Sequence, residues 1–388
     1  MFIGKRLRPD DLIKQACRRA GFSDFGDTPF FDGLQEFLEA CVDEANLSLI
    51  GAFGTRWDIV RFLSNLLQLR HHEVVAPEIL DQKIERPIFI TGVPRSGTTY
   101  LHQLLTNDPV NRAPMVWQLI HPYPAQRTSQ RSDLRQKHVA RQLKIFKLLV
   151  PELNKLHPIV ASSPQECSEI TAHVFTSLRF DTNYFVPSYR RWVDRTGHLE
   201  AYRFHKRFLQ HLQHQAGDGG PWVLKCPDHV FALAAIREVY PDARLVFVHR
   251  DPVRVLLSVT RLTEVLRRPF TRRIDQVQLG RDISERWLLG TDLMIEAADQ
   301  GGFAEPIFHI NYRELVNDPF GTVDQLYRHF GLSLGPEAAA RIKGAIKARP
   351  NGGYGANQYS PDAYQIDPAS ERDRYARYVA RFNIGQEC

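Results

Sequence analysis

The 388-residue chain is 43% hydrophobic, enough to bury a large core in one big domain or two smaller ones. Fifty Lys and Arg against 44 Asp and Glu leave a formal charge of +6, which suits anionic small molecules or a weakly anionic surface, and no zinc-finger spacing or basic stripe interleaved with aromatics points to nucleic acid. The apolar runs fall far short of the roughly 18 residues that span a bilayer, "MFIGKRLRPDDLIKQ" has no signal-peptide core, and Cys17, Cys41, Cys167, Cys226 and Cys388 form no C-x-x-C pair, so a cytoplasmic protein with buried thiols is expected.

Residues 1–85 read as a helical extension packed on a main domain of residues 86–388. "DDLIKQACRRAGF" opens a helix on Asp10 or Asp11 as cap and closes it at Gly21, and "GLQEFLEACVDEANLSLIGAF" repeats apolar residues near helical spacing; no strand is expected there. From Arg86 the pattern changes. "PIFITG" is a short apolar run ending at Gly92, and in the "TTYLHQLL" that follows, Leu101, Leu104 and Leu105 mark one helical face, giving a strand, a turn and a helix. Residues 111–215 hold mixed-charge segments, "SDLRQKHVARQLKIFKLL" and "PQECSEITAHVFTSLRF", separated by proline-rich breaks such as "HPYPAQ" and read as an inserted helical layer. Its aromatics, Phe175, Phe180, Tyr184, Phe185, Tyr189 and Trp192, suggest a partly apolar pocket, although such stretches more often form core.

"PWVLKCP", "HVFALAAIREVY" and "ARLVFVHR" then make a strand, a helix and a strand, a crossover that favours parallel pairing. Asp251 caps the next helix with Pro252 at its first position. A last strand, "PIFHINY", precedes "NDPFGTVDQLYRHFGL", capped by Asp318 and Pro319 and ended by Gly331. The helix "PEAAARIKGAIKA", the glycine-rich "RPNGGYGANQYS" and a basic helix near Arg372 to Phe382 complete the chain. The fold class is α/β, with a P-loop-type central parallel sheet flanked by helices and ligands expected beyond the carboxyl ends of the strands.

"GVPRSGTT", Gly92 to Thr99, is one residue away from the phosphate-binding pattern G-x-x-x-x-G-K-[ST]: Thr98 stands where the lysine would be. Its glycines let successive N–H groups and a helix start near Gly97 converge on one anion, and Arg95 adds a planar cation. Without the lysine, transfer of a γ-phosphate is poorly supported. The same glycines serve equally well in a plain tight turn, and the loop alone does not separate the two readings.

"PIFITGVPRSGTTYLHQLL" resembles the 5'-phosphosulfate loop of the sulfotransferases that use 3'-phosphoadenosine 5'-phosphosulfate (PAPS), and "LVFVHRDPVRVLLSVTRL" resembles their 3'-phosphate motif. The likeness is to the bacterial-type branch with PRSGTT, LKxPxH and HRDP; it covers roughly Arg86 onward and none of the first 85 residues. It implies a donor held by Arg95, Ser96, Gly97, Thr98 and Thr99 at the 5' end and by Arg250 and Ser258 at the 3'-phosphate, with Tyr100 near the adenine and no metal required. Arg250 at a strand tip and Ser258 on the following helix are spaced to meet one phosphate from two sides.

The resemblance further implies that His229 takes the acceptor's proton, that Lys225 and Arg95 steady the departing oxygen, and that Arg349, with Gly352, Gly353 and Gly355, belongs to a loop closing over the 3'-phosphate. Arg95 departs from the lysine of the cytosolic eukaryotic branch, so the charge carries over better than the residue type. The acceptor is expected to be a small-molecule or lipid alcohol or phenol, which leaves room for peripheral membrane contact without a transmembrane segment. His102, His121 and Glu166 are weaker base candidates, and Tyr312 and Arg313 resemble a family segment without an assigned role. Two alternatives stay open: a P-loop kinase or NTPase, which the missing lysine and the Arg250 preceding Asp251 oppose, and a nucleotide-binding protein without catalysis.

Overall fold

A computed structural model describes residues 7–123, 133–149, 152, 159–217, 219–348 and 361–387. Four short runs rich in β-branched and aromatic residues become strands: Ile88–Gly92 (β1), Val223–Lys225 (β2), Arg244–His249 (β3) and Phe308–Asn311 (β4). Each lies within a stretch that the sequence marks as a strand. They pair in parallel in the order β2-β1-β3-β4. The first three are buried throughout, as expected where helices cover both faces of a parallel sheet. The chain leaves β1 for β2 on one side and returns to β3 on the other, so the carboxyl end of β1 is a topological switch point.

The chain divides into two compact units: Met1–Ile84 with Pro114–Asp218 and Val265–Ile274, and Glu85–Ala113 with Gly219–Glu264 and Asp275–Cys388. The sheet lies in the second unit. There, Leu101, Leu104 and Leu105 of the Thr98–Leu105 helix form one core with Ile88, Ile90, Val246 and Val248 of the strands and with Leu326 and Ile342 of later helices. Asp251 opens the Pro252–Arg267 helix as expected, its carboxylate accepting the Val253 N–H at 3.0 Å. Asp318 does the same for Gly321 at 2.9 Å.

In the first unit, the Leu49–Val75 helix, capped by Ser48, carries a buried Arg61 that bonds Asp58 and Glu169, each at 2.6 Å. Arg179 reaches the same two carboxylates at 2.8 and 2.7 Å, so each charge in this buried cluster faces two of opposite sign. Phe175, Phe180, Tyr184 and Tyr189 are buried as well, packed with Phe37 and Phe62, and Tyr189 donates to the Phe175 carbonyl at 2.8 Å. These four aromatics are therefore packed in the core of the first unit.

Several helix boundaries differ from the sequence reading. The first helix, Pro9–Ala20, starts with Arg8 as its cap residue, and Asp10 and Asp11 fall in the first turn, where they complement the helix dipole; Gly21 ends it in the left-handed region as expected. "GLQEFLEACVDEANLSLIGAF" divides between Phe31–Asp43 and Leu49–Val75, with Asn46 at φ +46° in the break. "PQECSEITAHVFTSLRF" gives only short turns, Ser168–Thr171, Ala172–Val174 and Arg179–Asn183, because Phe175 turns left-handed (φ +53°) and the Ser177 hydroxyl donates to the Ser168 carbonyl at 2.7 Å. Residues 229–240 split between a 3₁₀ segment, Pro227–Ala232, and the helix Leu233–Val239, while the last basic helix breaks at Tyr375 into Pro368–Arg374 and Ala376–Arg381. "RPNGGYGANQYS" and Arg349 lie outside the described residues. Among the described residues no helix is long and apolar enough to cross a membrane.

Gly92 shows how tightly the sheet grips the end of β1. It pairs with Val248 at φ +134°, and a Cβ there would lie 2.2 Å from the Val248 carbonyl oxygen. Gly92→Ala is expected to lower stability by about 2–4 kcal/mol through backbone strain and overpacking. Urea denaturation checks it: the midpoint should fall with an unchanged slope, and coincident midpoints would remove the claim.

Candidate active site

The loop from Gly92 to Thr99 carries three residues with positive φ: Gly92 (+134°), Arg95 (+62°) and Gly97 (+93°). A left-handed φ at a residue other than glycine is uncommon, and the chain has it at Arg86 as well as at Arg95. Gly97 is the cap residue of the Thr98–Leu105 helix, and a Cβ on it would come within 3.1 Å of both Tyr312 and Leu315. The loop is therefore packed at Gly97 against the segment that follows β4.

Arg95 joins the loop to the second sequence motif. Its Nε donates to Ser258 Oγ at 3.1 Å, and its carbonyl accepts from Arg250 Nη1 at 2.7 Å. Residues separated by more than 150 positions are thus brought together: Arg95 in the loop, Arg250 just past β3 and Ser258 on the Pro252–Arg267 helix. The Arg250 guanidinium lies over the Tyr312 ring, 3.9 Å from its centroid. Beneath it, His249 Nε2 is 2.9 Å from His309 Nδ1. Burial, with His309 and Arg381 nearby, holds His249 well below the usual imidazole range, so at neutral pH it is uncharged and the positive charge at this strand end belongs to Arg250.

Lys225 ends β2 beside β1. Its ammonium, in a residue only 2% exposed, donates to Thr99 Oγ1 at 3.1 Å. His229 follows in the 3₁₀ segment, fully buried, its ring edge-on to Phe89 with centroids 5.0 Å apart. His102 faces inward: it is 1% exposed and its Nε2–H donates to the Val223 carbonyl at 3.0 Å. Tyr100 is buried and packs in the sheet's hydrophobic core. Burial raises its phenol above the ordinary range. His121 and Glu166 belong to the first unit, where burial, with Arg61, His138 and Arg19 nearby, lowers His121 to about 4.

Two features went unread in the sequence. The Glu387 carboxylate sits on Arg250, with Nη2 at 2.8 Å from Oε2 and Nε at 3.0 and 3.1 Å from its two oxygens. The stacking of Tyr312 beneath Arg250 is the other; its position just past a strand's carboxyl end was the available signal. No local pattern marks Glu387.

These residues fit a ligand with two separate anionic groups. Ser96 Oγ is buried in the loop and makes no hydrogen bond among the described residues, so a loop-bound anion gives it an acceptor. At the second position a carboxylate already stands on Arg250 in the manner of an anion. Asp251 is engaged by the N–H groups of Val253 and Glu387, at 3.0 and 2.8 Å, and so does not present the free strand-end carboxylate of a nucleotide hydrolase. Among the described residues no group of three or more His, Cys, Asp or Glu side chains is placed to hold a metal ion.

A parallel sheet with a glycine-bounded loop at its switch point, a strand-end arginine and a helix serine tied to that loop define an α/β protein of P-loop type. The model of the sulfotransferase family matches residues 87–336, and the chain belongs to that family. It is 27% identical over 303 residues, 72% of each chain, to omega-hydroxy-beta-dihydromenaquinone-9 sulfotransferase Stf3 of Mycobacterium bovis and of Mycobacterium tuberculosis. Among solved structures it is similar to sulfotransferase STF9 from Mycobacterium avium, with TM-score 0.89 and 28% identity over 98% of this chain and 97% of that one. It is also similar to sulfotransferase STF1 from M. tuberculosis, with TM-score 0.84 and 29% identity over 95% and 98%.

Ser96 offers a test with opposite signs on stability and binding. Ser96→Ala removes a buried hydroxyl without a protein partner, so the ligand-free protein should gain up to about 1–3 kcal/mol. The same change should weaken pyrophosphate binding, measured by its shift of the melting temperature. A variant that loses stability without ligand, or keeps its pyrophosphate shift, would contradict this role for Ser96.

Proposed function

We propose that the protein transfers a sulfuryl group from PAPS to the hydroxyl of a partly apolar acceptor. The observation that carries this reading is the junction of Arg95, Arg250 and Ser258, two motifs distant in sequence and bonded to one another, within a chain of the sulfotransferase family. When bound, PAPS supplies a sulfuryl group that passes to the acceptor oxygen as the bond to its bridging oxygen breaks, releasing 3',5'-ADP.

The residues take separate parts in that transfer. Arg95, Thr98 and the N–H groups from Ser96 to Thr99 neutralise the phosphosulfate oxygens at the helix start. Arg250 and Ser258 hold the 3'-phosphate, which distinguishes this donor from ATP. Lys225, buried beside Thr99, steadies the charge that grows on the bridging oxygen. His229, four residues on and shielded from solvent, takes the proton of the acceptor hydroxyl. Tyr100, packed in the core, supports the helix and is given no contact with the donor. Stf3 is named for an omega-hydroxylated menaquinone, which supports a lipid alcohol as acceptor here.

Calorimetry with 3',5'-ADP and 5'-AMP separates this donor from ordinary nucleotides. The wild-type chain should bind 3',5'-ADP more tightly by about 10–100-fold, the worth of hydrogen bonds to a charged group, and Arg250→Ala should erase the difference. Equal affinities in the wild type overturn the reading. Once a panel of alcohols and phenols yields a product heavier by one SO₃, His229→Gln should slow turnover by about 10²–10⁴-fold while leaving 3',5'-ADP binding unchanged. A smaller loss, or a loss of binding, gives His229 a structural part instead.

A further inference from the structure

We propose that Glu387 is a built-in competitor for the 3'-phosphate, so that the donor enters by displacing this carboxylate from Arg250 and releasing Gly385 to Glu387. The inference rests on the reading that Arg250 receives that phosphate. A guanidinium offers an anion its paired N–H groups. On Arg250, the Nε and Nη2 edge is taken by Glu387, Nη1 donates to the Arg95 carbonyl, and the face lies on Tyr312. A phosphate that needs the paired edge therefore cannot add to Arg250 while Glu387 stays. Two negative groups at one cation also repel, so occupancy by one disfavours the other.

The surrounding contacts limit what has to move. Phe382 is stacked on His249 with ring centroids 4.1 Å apart, and Phe382 and Ile384 are buried, so the chain is anchored up to that point. Beyond it Gly385 and Gln386 are exposed, and three contacts close the segment onto the site. Arg313 donates to the Gln386 carbonyl, the Glu387 N–H donates to Asp251 at 2.8 Å, and the carboxylate takes Arg250. Displacing the carboxylate removes the strongest of these, and the short stretch after Ile384 turns outward without disturbing the core. Closed in this way, the arginine is also shielded from simple anions, which meet it through one contact only, whereas a nucleotide bound through the loop as well brings its 3'-phosphate to Arg250 at high local concentration.

A segment closed about nine-tenths of the time weakens apparent affinity roughly tenfold. Full-length wild type, Glu387→Gln and Glu387→Ala are titrated with 3',5'-ADP and 5'-AMP, and exchange of the Glu387 amide proton is followed with each ligand. Both variants should bind 3',5'-ADP about tenfold more tightly with 5'-AMP unchanged, and saturating 3',5'-ADP, but not 5'-AMP, should speed exchange of that amide in the wild type. Unchanged or weaker 3',5'-ADP binding in the variants overturns the competitor role. If the wild type still prefers 3',5'-ADP over 5'-AMP, that result leaves the donor assignment standing; if no protein shows the preference, both fall together.

Discussion

The site depends on how Arg95 is held. Its peptide carbonyl accepts from Arg250 and its guanidinium donates to Ser258, so one residue of the loop is gripped from the tip of β3 and from the helix that follows it. A left-handed φ at a non-glycine residue is costly, and such a conformation persists where surrounding bonds over-determine it. Here the two bonds come from the other motif. The strain in the loop and the cohesion between the motifs are two sides of one arrangement.

That arrangement sets the Arg250 guanidinium against the loop backbone at the Arg95 carbonyl, and other neighbours complete the surroundings of both arginines. Tyr312 supplies a ring face to Arg250, Glu387 supplies a carboxylate, and Ser258 accepts from Arg95. His249, the residue before Arg250, stays neutral because burial and its neighbours depress its pKa. In the ligand-free protein a ring and a carboxylate thus compensate Arg250, and a hydroxyl engages Arg95. A permanent buried ion pair at this place would be a poor receptor, because its charges would already be satisfied.

The strands were legible because each is a short run rich in apolar residues ending at a glycine, a charge or a polar residue, and the loop was legible because its glycines sit at the positions where positive φ is required. The helical layer was less so. "PQECSEITAHVFTSLRF" has the composition of a helix, yet Ser177 and Tyr189 offer its carbonyls other partners and Phe175 turns left-handed, choices settled by packing against Phe37 and Phe62. Its aromatics looked the same in sequence whether they faced a ligand or a core. Helix periodicity buries Tyr100 with Leu101 and Leu104 in the sheet's core, a packing that its place after the loop did not show. Glu387 could not be found from spacing at all, since its partner lies 137 residues earlier.

The lysine missing from the loop is best understood through β2. Thr98 occupies its place and is buried at the helix start, so no long cation stands at that position. The parallel sheet instead sets Lys225 opposite Ile90, two residues before the loop begins, and aims its ammonium at Thr99. A buried ammonium held by a hydroxyl has little freedom to follow a moving group, unlike one at the end of a mobile loop side chain. A cation delivered from the neighbouring strand is fixed at the side of the loop, while a lysine within the loop would reach along the phosphate chain toward its end. With Arg95 inside the loop and Lys225 beside it, positive charge is set differently from a single lysine at position 98, and that difference separates this loop from those of the nucleotide hydrolases more sharply than the single substitution at Thr98 suggests.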